Sequence, residues 1–389
     1  MSHSIRNMAN TVVAPSPAAS GDESEAKQAG RIRGFDGLRG IAFLLVFISH
    51  KVYFAHADSV GDIGVWLFFV LSGFLITRIL ARSRSEIENG SLTVYDGLRG
   101  FYVRRTARIF PPYYSLLMIL AIISLFVPID NFGPFEKTAY FLYGTNILIA
   151  ASGHWIGDFG HFWSLAIEEQ FYLVFAPLVL LTPRRHTAIL CLAMVALGIV
   201  TKIVLELANA SSVAIDVNSL VNFALIGMGG IIGLNAGRPA PKWLTGGLAQ
   251  FAVLCLYMAL PAAFGTWPFF WPLLGKVSAV LVGVLLFQIF KQQQSGLVTV
   301  LESAPLRNVG RVSYGAYLIH HFLHFSAIES LLQQLGVVTT PRPVQVLAEL
   351  AASLILAAVS WRYVEKPIIA MAKRTTSSAR SVNLPNHAP

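Results

Sequence analysis

GFDGLRGIAFLLVFISHKVYF, residues 34–54, decides the fold. The stretch is apolar between its basic ends, and a helix through it would cross most of a bilayer. Yet it carries His50, eleven residues after Arg39. At about 1.5 Å rise per residue, the two lie about 16 Å apart along the helix, so His50 falls within a hydrocarbon layer of about 30 Å. An ionisable side chain at that depth is costly, and it marks a path, a relay or a reaction site. Two other apolar runs repeat the pattern, with Glu168 in WSLAIEEQFYLV and His320 in SYGAYLIHHF.

The whole chain agrees with that class. Of 389 residues, 55% are hydrophobic and only 13% are Asp, Glu, Lys or Arg, where a soluble domain carries about 25% charged residues. The net charge of +9 is no sign of nucleic-acid binding, because the basic residues cluster beside apolar segments, as the positive-inside rule requires. Long apolar runs exclude a strand barrel, whose segments alternate, so the expected fold is an all-α integral membrane protein. No Cys-x-x-Cys or ligand cluster is present. Cys191 and Cys255 sit in apolar runs and read as structural thiols.

Arginines and lysines orient the spans. Arg31 and Arg33 put the N-terminus in the cytosol, and the loop carrying Arg78, Arg82, Arg84, Arg99, Arg104, Arg105 and Arg108 is the most basic part of the chain. About ten spans follow, near 37–54, 63–81, 109–127, 163–182, 187–206, 218–236, 243–263, 269–290, 312–334 and 345–363. The run 138–151 is too short to span and reads as a re-entrant or interfacial helix. That choice keeps PRRH (183–186) and both termini cytosolic, with only Arg342 against the trend. Three parts result: a disordered tail over 1–32, one membrane domain over 33–369, and a flexible tail over 370–389. No internal repeat or appended soluble domain is visible.

Residue counting brings His50, Glu168 and His320 towards one level of the bilayer, where imidazoles and a carboxylate suit proton transfer in one shared cavity. The same residue types also serve as interhelical hydrogen bonds. Arg105 and Arg108, at i,i+3, share a helix face. With Arg104 and Arg39 they form a basic cluster suited to a phosphate-bearing donor such as coenzyme A, or to anionic lipid. Ser72 lies in the otherwise apolar run GVWLFFVLSGFLIT, where Gly64 and Gly73 allow close helix approach; Gly227, Gly229, Gly230 and Gly233 read the same way. Tyr172, at i,i+4 from Glu168, is within reach of its carboxylate, and His161 shares that face. Trp155, Phe162 and Trp163 suit a sugar-facing lip or an interfacial belt. His154, Asp158 and His161 lack the spacing of a closed metal site, so no metal is expected.

Six ordered motifs carry a resemblance: FDGLRGIAFLLVFISH, GVWLFFVLSGFLIT, FYVRRTARIFPPYY, HFWSLAIEEQFYLVFAP, NVGRVSYGAYLIHHF and WRYVEKP. From about Arg33 to Pro367 the chain resembles the bacterial membrane-bound acyltransferase family three, in its stand-alone form. The resemblance implies O-acylation of a carbohydrate hydroxyl, with acyl-CoA (acetyl-CoA by default) as donor substrate and no permanently bound cofactor. The acceptor would be an exopolysaccharide, an O-antigen or a related glycan, and the location the bacterial cytoplasmic membrane. It also implies an Arg-x10-His motif, here Arg39 and His50, and an Arg-x-x-Arg motif, here Arg105 and Arg108. On this reading His50 is the base. Arg39 and Glu168 assist it, Arg104, Arg105 and Arg108 hold the donor, and Ser72, Trp163, Tyr172, His161 and His320 line the substrate. The rival reading is a proton-coupled transporter or exporter with His50, Glu168 and His320 as a relay. It lacks the paired inverted repeats such proteins show.

Overall fold

The computed structural model describes residues 32–52, 57–239, 242–264, 271–324 and 341–382, with backbone alone at 57–59, 242, 260–264, 271–276, 278–279 and 377–382. Every regular element among these residues is helical: α1 (Phe35–Lys51), α2 (Ala57–Glu88), α3 (Val94–Ile123), α4 (Pro134–Phe141), α5 (Thr145–Ser152), α6 (Phe162–Leu181), α7 (Thr187–Leu207), α8 (Ser219–Asn235), α9 (Gly247–Phe264), α10 (Trp271–Lys291), α11 (Ala304–Ile319), α12 (Arg342–Ser360) and α13 (Lys366–Val382), with shorter turns between. In lipid this follows from the need to satisfy each backbone N–H and C=O within its own segment.

Six stretches are long and apolar enough to cross a membrane: Val60–Glu88, Val94–Ile123, Gly157–Leu181, Arg184–Leu207, Ser212–Asn235 and Arg342–Thr376. The expected count of about ten is therefore not reached among the described residues. α1, at 17 residues, is about one turn short of the usual 20. The spans expected near 269–290 and 312–334 run partly through residues outside the described set. Of the latter, α11 stops at Ile319 and tightens into a 3-10 turn over His320–Phe322, a common helix ending. The run 138–151 is broken at Tyr143, whose φ is +53°, into the eight-residue helices α4 and α5. Eight residues rise about 12 Å, so neither crosses, in keeping with the expected non-spanning segment. At the other end the helix passes through a π turn at Trp361–Glu365 and continues as α13 to Val382. Ala, Met, Lys and Arg there are strong helix formers, and α13 lies against α3. The 1–32 tail lies outside the described residues but for Ile32.

α2 is the centre of the bundle, touching α1, α6, α8 and α10, with 67% of its apolar window buried against 11% for α7 at the rim. Small residues set the closest crossings. A Cβ on Gly73 would overlap the Ile226 carbonyl, one on Gly229 the Val70 carbonyl, and one on Gly310 the Asp36 carbonyl. The first two clamp α2 to α8 and the third clamps α11 to α1, so glycine is what permits these backbone contacts.

The end of α1 is held by charge. Lys51, with its side chain 5% exposed, pairs with the buried Glu349 of α12 at 3.5 Å and donates to the Leu323 carbonyl. Arg342 reaches Glu349 at 3.6 Å and the Lys51 carbonyl at 2.8 Å. Removing one member of such a buried pair strands the other charge. Glu349→Ala is expected to lower stability in detergent by about 3 kcal/mol, read as an earlier thermal transition. Lys51→Met combined with Glu349→Met is expected to recover most of the loss. Equal damage from the single and double variants would show that the pair is not what holds this corner.

Candidate functional site

α1 carries its two marked residues to two different cavities. Arg39, near its N-terminus, lines a small cavity of about 90 Å³. His50, near its C-terminus, lines a larger one of about 750 Å³. The two cavities share Val65 of α2 and Tyr317 of α11 as a common wall.

The arginine cavity gathers Arg39, Arg105 and Arg108 beside Glu168, Ser72 and Tyr172. α3 supplies Arg105 and Arg108 from one face, as their spacing predicts. The Arg105 guanidinium lies 5.5 Å from the centre of the Tyr172 ring and 5.9 Å from that of Phe101, a cation–π arrangement that holds its fork in place. Arg39 pairs with Asp36 at 3.3 Å. Glu168 accepts from Ser72 Oγ at 2.6 Å and from Tyr172 Oη at 3.2 Å, so both carboxylate oxygens are engaged. Three guanidinium groups around one opening are a site for an anion with several oxygens.

The histidine cavity is lined by His50, His161 and His321, by Trp66, Trp155 and Trp163, and by Asp62, Lys202, Asp216 and Asn222. His50, His161 and His321 join the buried His320 in a cluster of rings. His50 Nδ1 meets His320 Nε2 at 3.0 Å, His321 stands edge-on to His50 at 4.2 Å, and His161 stacks on His321 at 4.5 Å. The two nitrogens of His161 meet the Asp158 and Leu318 carbonyls, tying the start of α6 to the end of α11. Tryptophan faces with scattered hydrogen-bonding groups, in a cavity of ligand-binding size, suit a hydroxyl-rich acceptor.

Several placements differ from the sequence reading. His50 and His320 do meet, but Glu168 belongs to the arginine cavity, so one shared cavity becomes two adjoining ones. His320 is fully buried and lines neither. Arg39 does join Arg105 and Arg108, as the expected basic cluster has it, and does not line the His50 cavity. Arg104 lies in a separate recess with Gly97, Gly100 and Ser83, because consecutive helical residues point about 100° apart. Trp163 and Ser164, adjacent in sequence, line opposite cavities for the same reason. Ligand atoms of His50, His320 and His321 lie within 4.8 Å of one another, a different trio from His154, Asp158 and His161. The His50–His320 hydrogen bond already engages one nitrogen of each. Val65, Tyr317, His321, Asp62, Lys202 and Asp216 escaped the sequence reading. Lys202, a charge within an apolar run, was the one with a usable signal.

Comparison with known proteins shows the family. Residues 32–362 match the family described as an acyltransferase domain. The peptidoglycan O-acetyltransferase OatA of Listeria monocytogenes is 28% identical over 359 residues, covering 87% of this chain and 56% of its own length. The putative peptidoglycan O-acetyltransferase YrhL of Bacillus subtilis is 28% identical over 369 residues, covering 87% and 55%. A putative O-acetyltransferase of Staphylococcus aureus (strain COL) is 35% identical over 161 residues, covering 39% and 25%. The chain thus spans about half the length of the full-cover relatives. No solved structure matches. With the family matched over most of its length, this chain belongs to acyltransferase family three.

Proposed function

We propose that the protein is an integral membrane O-acyltransferase that moves an acetyl group from acetyl-CoA to a hydroxyl of a cell-envelope glycan. The observation that carries this reading is the pair of adjoining cavities at opposite ends of α1, one lined by arginines and the other by imidazoles and tryptophans. The donor's phosphates dock on Arg39, Arg105 and Arg108 from the cytosolic side. At about 90 Å³ that cavity has room for only a few water-sized groups, so its lining side chains must move apart for the pantetheine arm to enter while the nucleotide stays at its mouth. The thioester then passes between Val65 and Tyr317 to reach His50. Peptidoglycan is the acceptor class that the names of OatA and YrhL favour.

In the transfer, His50 takes the proton of the acceptor hydroxyl as its oxygen attacks the thioester carbonyl. The new C–O bond forms, the C–S bond breaks, and the imidazolium returns its proton to the departing thiolate. The developing oxyanion needs a donor. Ser72 is engaged by Glu168 and His320 is enclosed. Trp163, whose ring borders the histidine cavity, is the best placed of those three. Glu168 keeps Ser72 and Tyr172 ordered beside the donor arginines.

Native membrane vesicles supplied with envelope glycan from the same cells test the reading through release of free thiol from acetyl-CoA. Wild-type vesicles are expected to release thiol and gain acetyl esters in step, whereas a transporter would do neither. Val65→Phe thickens the shared wall, and the rate is expected to fall at least tenfold, because misplacement of about 1 Å in a reacting group costs about 10²-fold. Acetyl-CoA binding would be retained. A Val65→Phe variant with full turnover would place the passage elsewhere.

A further inference from the structure

Two hydrogen bonds settle which nitrogen of His50 is free. His320 Nδ1 lies 2.7 Å from the Tyr317 carbonyl. A carbonyl oxygen only accepts, so that nitrogen carries the hydrogen. Neutral His320 has a single N–H, which leaves its Nε2 as an acceptor. His50 Nδ1, at 3.0 Å, must then be the donor, and His50 Nε2 is left unprotonated on a side chain that lines the histidine cavity.

The anchor of this chain is itself fixed. The Tyr317 hydroxyl donates to the His161 carbonyl at 3.0 Å and shares a hydrogen bond with Ser164 Oγ at 2.7 Å, locking the end of α11 to α6. The His320 ring is fully buried, edge-on to Phe43 at 6.1 Å and tilted against Phe47 at 6.3 Å. Nothing in this packing brings His320 to a cavity surface.

We propose that His320 is a positioning residue: it holds His50 in the tautomer and ring orientation that present a free Nε2 to the acceptor hydroxyl. The inference rests on the reading of His50 as base. During transfer the acceptor's proton moves to His50 Nε2, and the Nδ1 hydrogen stays with His320. His320 keeps its own hydrogen on the Tyr317 carbonyl, so the base gains and loses one proton without a change of partner. A second group that fixes tautomer and aim is a recurring companion of catalytic and metal-binding imidazoles.

Three substitutions separate positioning from packing, assayed as thiol release from acetyl-CoA in native membrane vesicles. His320→Gln places an amide oxygen near the former Nε2 and is expected to keep most of the wild-type kcat. His320→Asn keeps a donor for the Tyr317 carbonyl but leaves nothing to accept from His50, and kcat is expected to fall about 10²-fold. His320→Leu is expected to fall as far. In all three the KM for acetyl-CoA stays within about twofold, since the donor arginines are untouched. The Asn variant answers the question even where Leu disrupts folding. Equal activity across the three, or Gln as weak as Asn, overturns the proposal. Should His50→Ala itself remain active, the base assignment fails instead, so the two failures are distinct.

Discussion

His50→Ala is expected to lower acetyl transfer by about 10²–10⁴-fold, the range that a positioned general base contributes, with the protein still inserted and still binding acetyl-CoA. The side chain lies at the cavity surface rather than in the packed centre of α1, whose buried face is Phe43, Val46 and Phe47. Truncating it removes chemistry and little packing. Its hydrogen bond to His320 is lost, so a fold-stability check by thermal melting in detergent belongs beside the activity assay. Wild-type turnover from a His50→Ala preparation would remove the base from the proposed mechanism.

Arg105→Ala together with Arg108→Ala is expected to act on the donor side. Each guanidinium–phosphate contact contributes about 1.5 kcal/mol or more, so losing two raises the KM for acetyl-CoA about 10²-fold, with a smaller effect on kcat. Arg105 also lies by Tyr172, which bonds Glu168. Arg105→Lys therefore supplies a useful control, retaining charge without the planar fork. An unchanged KM in the double variant would return both residues to anchoring on anionic lipid.

Depth along the helices was only partly legible by counting. The rise per residue brought His50 and His320 to one level, and they touch. The same arithmetic put Glu168 with them, yet Glu168 lies with Arg39 and Ser72 in the cavity at the other end of α1, so its depth was misjudged. Arg105 and Arg108 were paired correctly because i,i+3 is a statement about azimuth as well as height. Arg104 was grouped with them on charge alone and points to another recess. His321 was not legible as a partner from helical spacing, yet both rings lie beside His50, His320 through a hydrogen bond and His321 edge-on at 4.2 Å. The glycines at 73 and 229 were readable as contact points, since in lipid a small residue serves mainly to let another backbone approach. Which carbonyl each would meet required the fold.

Val65 and Tyr317 separate the two cavities by a single layer of side chains. On the proposed reading one cavity admits a cytosolic thioester and the other the acceptor glycan; if that glycan lies on the far face, the two cavities open to different compartments. An uninterrupted channel joining them would leak protons and ions down their electrochemical gradients at every catalytic cycle. A partition one side chain thick lets a slim acyl arm pass while the hydrated path stays broken, so the enzyme would exchange a chemical group between compartments without depolarising the cell.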